Sequence, residues 1–200
     1  MTTKERIADV ALRMFSERGY EAVSIRDICG EVGIKESTLY YHFKNKKDIL
    51  DSLIERFKNH IKGLLSHLDE MDDEPSKKRK NNDLSSSKVL DTYMMDSYLF
   101  NPFCNLMIRL MMIEQFHNEE IRELYEKTIF TDPYNIYMKV FKSLASNGAF
   151  SESQAEQIVR RYHAYMTMLT FKYLLNGELT EERKKAYAQE VHDLMGGISS

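Results

Sequence analysis

The chain has 200 residues, 42% of them apolar and 30% charged, and a net charge of −3. That balance is the one expected of a globular protein of one large or two small domains, and it excludes a polycation, so a nucleic-acid surface would have to be local. With only three prolines and eight glycines, a mostly helical chain is expected, because these residues punctuate strands and turns. The two cysteines, Cys29 and Cys104, lie in apolar-patterned segments. They point away from a disulfide scaffold, and no CxxC metal-ligand spacing accompanies them. Residues 1–15 lack the continuous apolar core of a signal peptide, and no apolar run is long enough to span a membrane. The expectation is a cytoplasmic protein without a membrane partner.

Taken in chain order, residues 3–19 carry Ile7, Ala8, Ala11, Leu12 and Phe15 on one helical face, with Gly19 as the stop. Ser24 and Asp27 form an acidic capping box for a second helix with the stripe Ile25, Ile28, Cys29 and Val32, ended by Gly33. A third short helix is predicted over 35–43, with Leu39 and Phe43 one turn apart. Two short helices joined through a glycine-containing turn are the mark of a helix-turn-helix. A long fourth helix comes next, carrying Ile49, Leu50, Leu53, Ile54, Phe57, Ile61, Leu64, Leu65 and Leu68. Residues 69–88 are polar and of low complexity and read as a flexible loop, having too little apolar area to offset the entropy of ordering. Helices are then predicted over 89–100 and 103–116. Asn118 would cap another reaching about Phe130. Asp132 and Pro133 would begin one that stops at Asn147 and Gly148. Ser151 and Gln154 would cap a long helix ending at Asn176 and Gly177, and Thr180 would cap a last one ending at Gly196 and Gly197. The fold class is therefore all-α. A three-helix head (1–47) is joined by a long helix to a larger helical body (48–200).

The chemistry gathers at 35–47, where Lys35, Lys44, Lys46 and Lys47 oppose Glu36 alone. A helix-turn-helix lays its second helix in the major groove of double-stranded DNA. Lys35, Glu36, Ser37 and Thr38 stand in its first turn, where base edges are reached. Tyr40, Tyr41 and His42 lie one turn on, with groups suited to phosphate oxygens and thymine methyls. Lys46 opens the fourth helix, where its ammonium and free backbone N–H groups suit a phosphate. Arg26 is placed to do the same from the second helix.

The run SIRDICGEVGIKESTLYYHFKNKKDIL, residues 24–50, resembles the N-terminal domain of the TetR family of transcriptional regulators. The resemblance extends over about residues 4–55 and includes Phe15, Gly19-Tyr20, Asp27-Ile28, Gly33, Thr38 to Phe43, and Lys46. It implies DNA contacts at Arg26, Ser37, Thr38, Tyr40, His42 and Lys46. The chain departs from the commoner pattern at Lys35, where many members carry a capping Ser, at Ser37, where a small residue or Pro is common, and at Cys29, where Ala is common. The resemblance further implies a homodimer whose body dimerises through its last two long helices and encloses a cavity for an effector that releases the operator.

Two features of the body fit that implication. Residues 164–175 are apolar or aromatic nearly all round, so a helix there needs cover on both sides, with Tyr187, Val191, Leu194 and Met195 as a matching stripe. Met and aromatic residues crowd the same body, as adaptable binding surfaces do. The candidate pocket is Met94, Tyr98, Met107, Met111, Tyr137, Tyr162 and Met166, with Arg109 and His163 as further polar groups, for an apolar or aromatic effector. The same residues also suit ordinary core packing. No catalytic motif, metal-ligand pair or cofactor signature occurs. The sequence thus reads as a ligand-released repressor and not an enzyme. The alternative is an activator or co-regulator that uses the same head without a small-molecule effector.

Overall fold

The computed structural model describes residues 1–73, 93–146 and 151–198, and every regular element among them is helical. The chain divides into two compact units, Met1–Glu70 with Leu106–Glu123, and Met71–Asn105 with Leu124–Ser200.

In the first unit, α1 (Thr3–Arg18) starts on a Thr2–Glu5 capping box and buries Ile7, Ala8, Ala11, Leu12 and Phe15. It ends because Gly19 adopts φ +82°, which side chains resist, while its N–H donates to the Phe15 carbonyl. Ser24 and Asp27 cap α2 (Ile25–Val32) reciprocally, and the two bonds from Ser24 hold the Asp27 carboxyl below its usual pKa. Gly33, left-handed at φ +75° and ψ +38°, turns the chain into α3 (Glu36–His42). Leu39 and Phe43 are buried beneath α3, and Arg6 of α1 donates to the Val32 carbonyl at the end of α2. Asn45 accepts the Asp48 N–H at the start of α4 (Lys46–Asp73), which buries Ile49, Leu50, Leu53, Ile54 and Phe57. An Arg56–Asp9 ion pair ties α4 to α1. The helix runs to Asp73, so 69–73, expected in the loop, are helical; 74–88 lie outside the described residues.

The second unit holds three π-helical segments, π1 (Met95–Leu99), π2 (Lys127–Thr131) and π3 (Thr170–Leu175). The α-helices are α5 (Pro102–Glu114), α6 (Glu119–Glu126), α7 (Asp132–Ser146), α8 (Glu152–Leu169) and α9 (Glu181–Ile198). Of these, α5 enters the first unit from Leu106, and α6 leaves it after Glu123. Helices α7 and α8 pack together, with Tyr162 edge-on to Tyr137 at 4.9 Å and near Phe141 at 6.1 Å. A π-turn lodges one more residue than an α-turn and disturbs the carbonyl ladder. In π3 side chains take up the slack. Buried Asn105 donates to the Leu174 carbonyl at 2.7 Å, and Arg183 donates to the carbonyls of Tyr173 and Lys172. Thr170 donates back to the Met166 carbonyl.

Three expectations are corrected here. Asp132 is not an N-cap: it is helical (φ −65°, ψ −47°), and α6, π2 and α7 succeed one another without a loop. Pro133 cannot donate to the carbonyl four residues back, that of Ile129, and a His163 ring nitrogen lies 3.3 Å from that carbonyl. Gly196 and Gly197 do not end α9, which continues to Ile198, since glycine lowers helix propensity without forbidding the helix. Tyr187 and Val191 do not face outward. They are 0% and 2% exposed and belong to the core of their own unit. The expected stop at Asn147 and Gly148, and residues 89–92, lie outside the described residues.

Glu190 of α9 accepts hydrogen bonds from Tyr165, Lys172 and Tyr173, joining α8, π3 and α9. These three donors, Tyr165 first, lower the Glu190 pKa to about 2, while the bonds that Lys172 makes to Tyr173 and Glu190 raise its own. A depressed carboxylate contributes stability above its unfolded pKa and loses it as pH falls through the folded one. Glu190→Gln is therefore expected to lower Tm at about pH 6, with the gap to wild type closing between about pH 4.5 and pH 2. The group is partly exposed, so salt should shrink the effect. A pH-independent gap in thermal scans would refute it.

Candidate nucleic-acid interface

The outer face of α3 is built by the residues that hold its inner face. Leu39 is fully buried and Phe43 nearly so, and this turns the intervening side chains outward. Tyr40 is 51% and Tyr41 85% exposed, unusual for rings of this size. Lys35, Glu36 and Ser37 are exposed at the start of the helix, with Thr38 and His42 half-buried at its margin. Tyr41 and His42 meet edge-on at 5.1 Å. Lys35 occupies the N-cap but makes no side-chain cap bond; its carbonyl accepts from Thr38 and Leu39. Arg26, Lys44 and Lys47 are exposed, and Lys47 pairs with Asp51 one turn on. All nine sequence-selected residues lie in the first unit, on or beside its helix-turn-helix.

Lys46 is positioned by a contact that sequence reading missed. Its ammonium donates to the Tyr20 carbonyl at 2.9 Å, lies 4.1 Å from the centre of the Tyr20 ring, and is 3.9 Å from Glu21. An ammonium has three donors, so the bond to Tyr20 fixes its direction and leaves capacity for another acceptor. Tyr20 is held in turn. Its ring packs edge-on against Phe15 at 5.2 Å, and its N–H donates to Glu114 of α5 at 2.8 Å. Glu114, 6% exposed, is the one buried carboxylate among the described residues. Nothing in the local sequence around residue 20 announces a partner 94 positions away.

The second unit contains a cavity of about 40 Å³. Four of the sequence-selected pocket residues line it, namely Met94, Tyr98, Tyr137 and Met166, and so does His163. Met107, Met111 and Tyr162 do not. They are buried at 0%, 1% and 2% exposure, the first two in the first unit and Tyr162 against Tyr137 and Phe141. Arg109 is not on the wall either. Leu99, Thr128, Ile129, Pro133, Thr167, Thr170 and Tyr187 complete it. Burial lowers the His163 pKa, and one ring nitrogen lies 3.3 Å from the Ile129 carbonyl. Burial pushes the Tyr98 hydroxyl well above the ordinary tyrosine range, so it stays protonated. Among the described residues no helix is long and apolar enough to cross a membrane.

The family model for bacterial regulatory proteins of the tetR family matches residues 7–53. The chain is 27% identical over 203 aligned positions to the HTH-type transcriptional regulator YerO of Bacillus subtilis, covering 98% of this chain and 65% of YerO. It is 40% identical over 58 positions to IcaR of Staphylococcus epidermidis, the negative transcriptional regulator of the biofilm operon icaADBC, covering 29% of this chain and 31% of IcaR. The chain thus spans less than two thirds of the length of either relative. Among solved structures it resembles a transcriptional regulator from Saccharomonospora viridis in complex with choline (TM-score 0.64, 22% identity, 96% of this chain and 95% of that one). It also resembles a regulator from Aquifex aeolicus VF5 (TM-score 0.60, 19% identity, 96% and 99%). These two likenesses extend the fold agreement beyond the head to nearly the whole chain.

The helical head, the exposed α3 face and the matching family model define a helix-turn-helix domain. Residues 7–53 are thus a helix-turn-helix head of the tetR type.

Proposed function

We propose that the chain binds operator DNA as a homodimer in the cytoplasm and represses transcription until a small apolar or aromatic molecule releases it. Residues 1–47 serve as the DNA-binding domain and 48–200 as the ligand-binding and dimerisation domain. The observation that carries the DNA reading is the exposed α3 face, with Tyr40 and Tyr41 outward above buried Leu39 and Phe43. Arg26, Lys35, Glu36, Ser37, Thr38, His42 and Lys46 surround it. Repression is favoured by the likeness of the head to a negative regulator. Dimerisation through α8, π3 and α9 is supported by Ala164 and Met168, which stand exposed on α8 one turn apart, Met168 at 44%. Two heads of a dimer must match sites about one helical turn, ~34 Å, apart. The effector prefers a different spacing, and by linkage DNA and effector weaken each other.

The test uses DNA from upstream of the protein's own gene. Tyr40→Ala and Lys46→Ala are each expected to weaken binding roughly tenfold, and Lys46→Ala should also reduce the salt slope by about one unit. If both variants shift the fragment as wild type does at matched salt, this surface is not the interface.

A further inference from the structure

We propose that the effector is a compact, neutral, largely apolar molecule bearing one hydrogen-bond acceptor, and that the Tyr98 hydroxyl is its anchor. This rests on the reading of the cavity as the effector site.

Tyr98 is a wall residue and only 4% exposed. Its hydroxyl is the one fully shielded side-chain polar atom without a hydrogen-bond partner among the described residues. Burying a hydroxyl unpaired is costly, and orphaned donors are rare in folded proteins. Three other polar groups on the wall are already engaged: Thr170 on the Met166 carbonyl, His163 beside the Ile129 carbonyl, and the Tyr187 hydroxyl facing the Met166 sulfur at 4.0 Å. No Asp, Glu, Lys or Arg lines the cavity, so a charged ligand would find no counter-ion there.

The wall has a second peculiarity. Each of the three π-helical segments contributes to it, π1 through Tyr98 and Leu99, π2 through Thr128 and Ile129, and π3 through Thr170. Such turns are rare and gather at functional sites, and here three of them meet one cavity. One water-sized sphere fills roughly 10–15 Å³ on the same measure. At about 40 Å³ the cavity holds a fragment at most. A ring-sized ligand must therefore select a wider form, and to anchor it the Tyr98 hydroxyl, shielded in the free protein, must face it in that form.

Fluorine NMR titration of the full chain with para-fluoroacetophenone, para-fluoroethylbenzene and para-fluorobenzoate tests this. The ketone should bind wild type roughly tenfold more tightly than the hydrocarbon of the same shape, and the anion more weakly than either. Tyr98→Phe should abolish the preference for the ketone and leave hydrocarbon binding unchanged. It should leave Tm equal or higher, because no bond is lost in the free protein. Equal binding of ketone and hydrocarbon, a preference that survives in Tyr98→Phe, a clear fall in Tm, or tighter binding of the benzoate would overturn the anchor and leave the cavity reading standing. Failure of all three probes to bind would remove the cavity reading and the anchor with it.

Discussion

Phe15→Ala should lower stability by about 3–5 kcal/mol, the range for truncating a fully buried ring. Phe15 is 0% exposed and sits in the last turn of α1, where α1, α2 and α3 share one small core. A large cavity there has few neighbours able to collapse into it. The edge-on contact with Tyr20 is lost as well, worth about 0.5–1.5 kcal/mol. Domains of this kind have about 5–15 kcal/mol in total, so the variant forfeits a large share. At ~2–4 °C per kcal/mol, Tm should fall by roughly 6–20 °C. Operator affinity should drop even where the variant remains folded, because Tyr20 loses the ring that braces it and Lys46 is aimed by Tyr20. Denaturation monitored by circular dichroism, with Phe15→Leu as a milder control, reads the effect. A loss under about 1 kcal/mol would mean the site repacks freely, contrary to the burial described.

The head was legible because its determinants are local. A capping box spans four residues, so Ser24–Asp27 and Ser151–Gln154 could be read directly, and both form. Gly19 and Gly33 adopt the positive φ that their places at the helix ends suggested. Tyr40 and Tyr41 could be placed outside as soon as Leu39 and Phe43 were placed inside. The body was legible in composition but not in arrangement. Met94 and Met166 line the cavity, whereas Met107 and Met111 belong to the core of the other unit, and nothing in their chemistry separates the two pairs. Hydrophobic periodicity assumes a regular helix. Each π-turn shifts the register of the helix beyond it, so the wall residues Thr128, Ile129 and Thr170 fell outside any stripe. Tyr187 was correctly read as apolar-facing, but its partner is its own unit and not a second subunit.

Glu114→Ala should destabilise the first unit by about 1–3 kcal/mol, and Glu114→Gln by distinctly less. The carboxylate accepts the Tyr20 N–H at 2.8 Å from within the protein. Alanine leaves that donor shielded without its acceptor. Glutamine keeps a carbonyl oxygen at the same reach and surrenders only the charge assistance. The neighbouring Gly19 adds a geometric constraint. A Cβ there would stand 3.4 Å from the same carboxylate oxygen, and φ is +82°, so Gly19→Ala should reproduce part of the Glu114→Ala loss. Because Tyr20 also aims Lys46, the ranking wild type, Gln, Ala should hold for operator affinity as well as for Tm. Stability that falls equally in both variants would place the importance of Glu114 in its charge and not in the bond. Stability that falls while operator affinity keeps its wild-type value would detach Tyr20 from the positioning of Lys46.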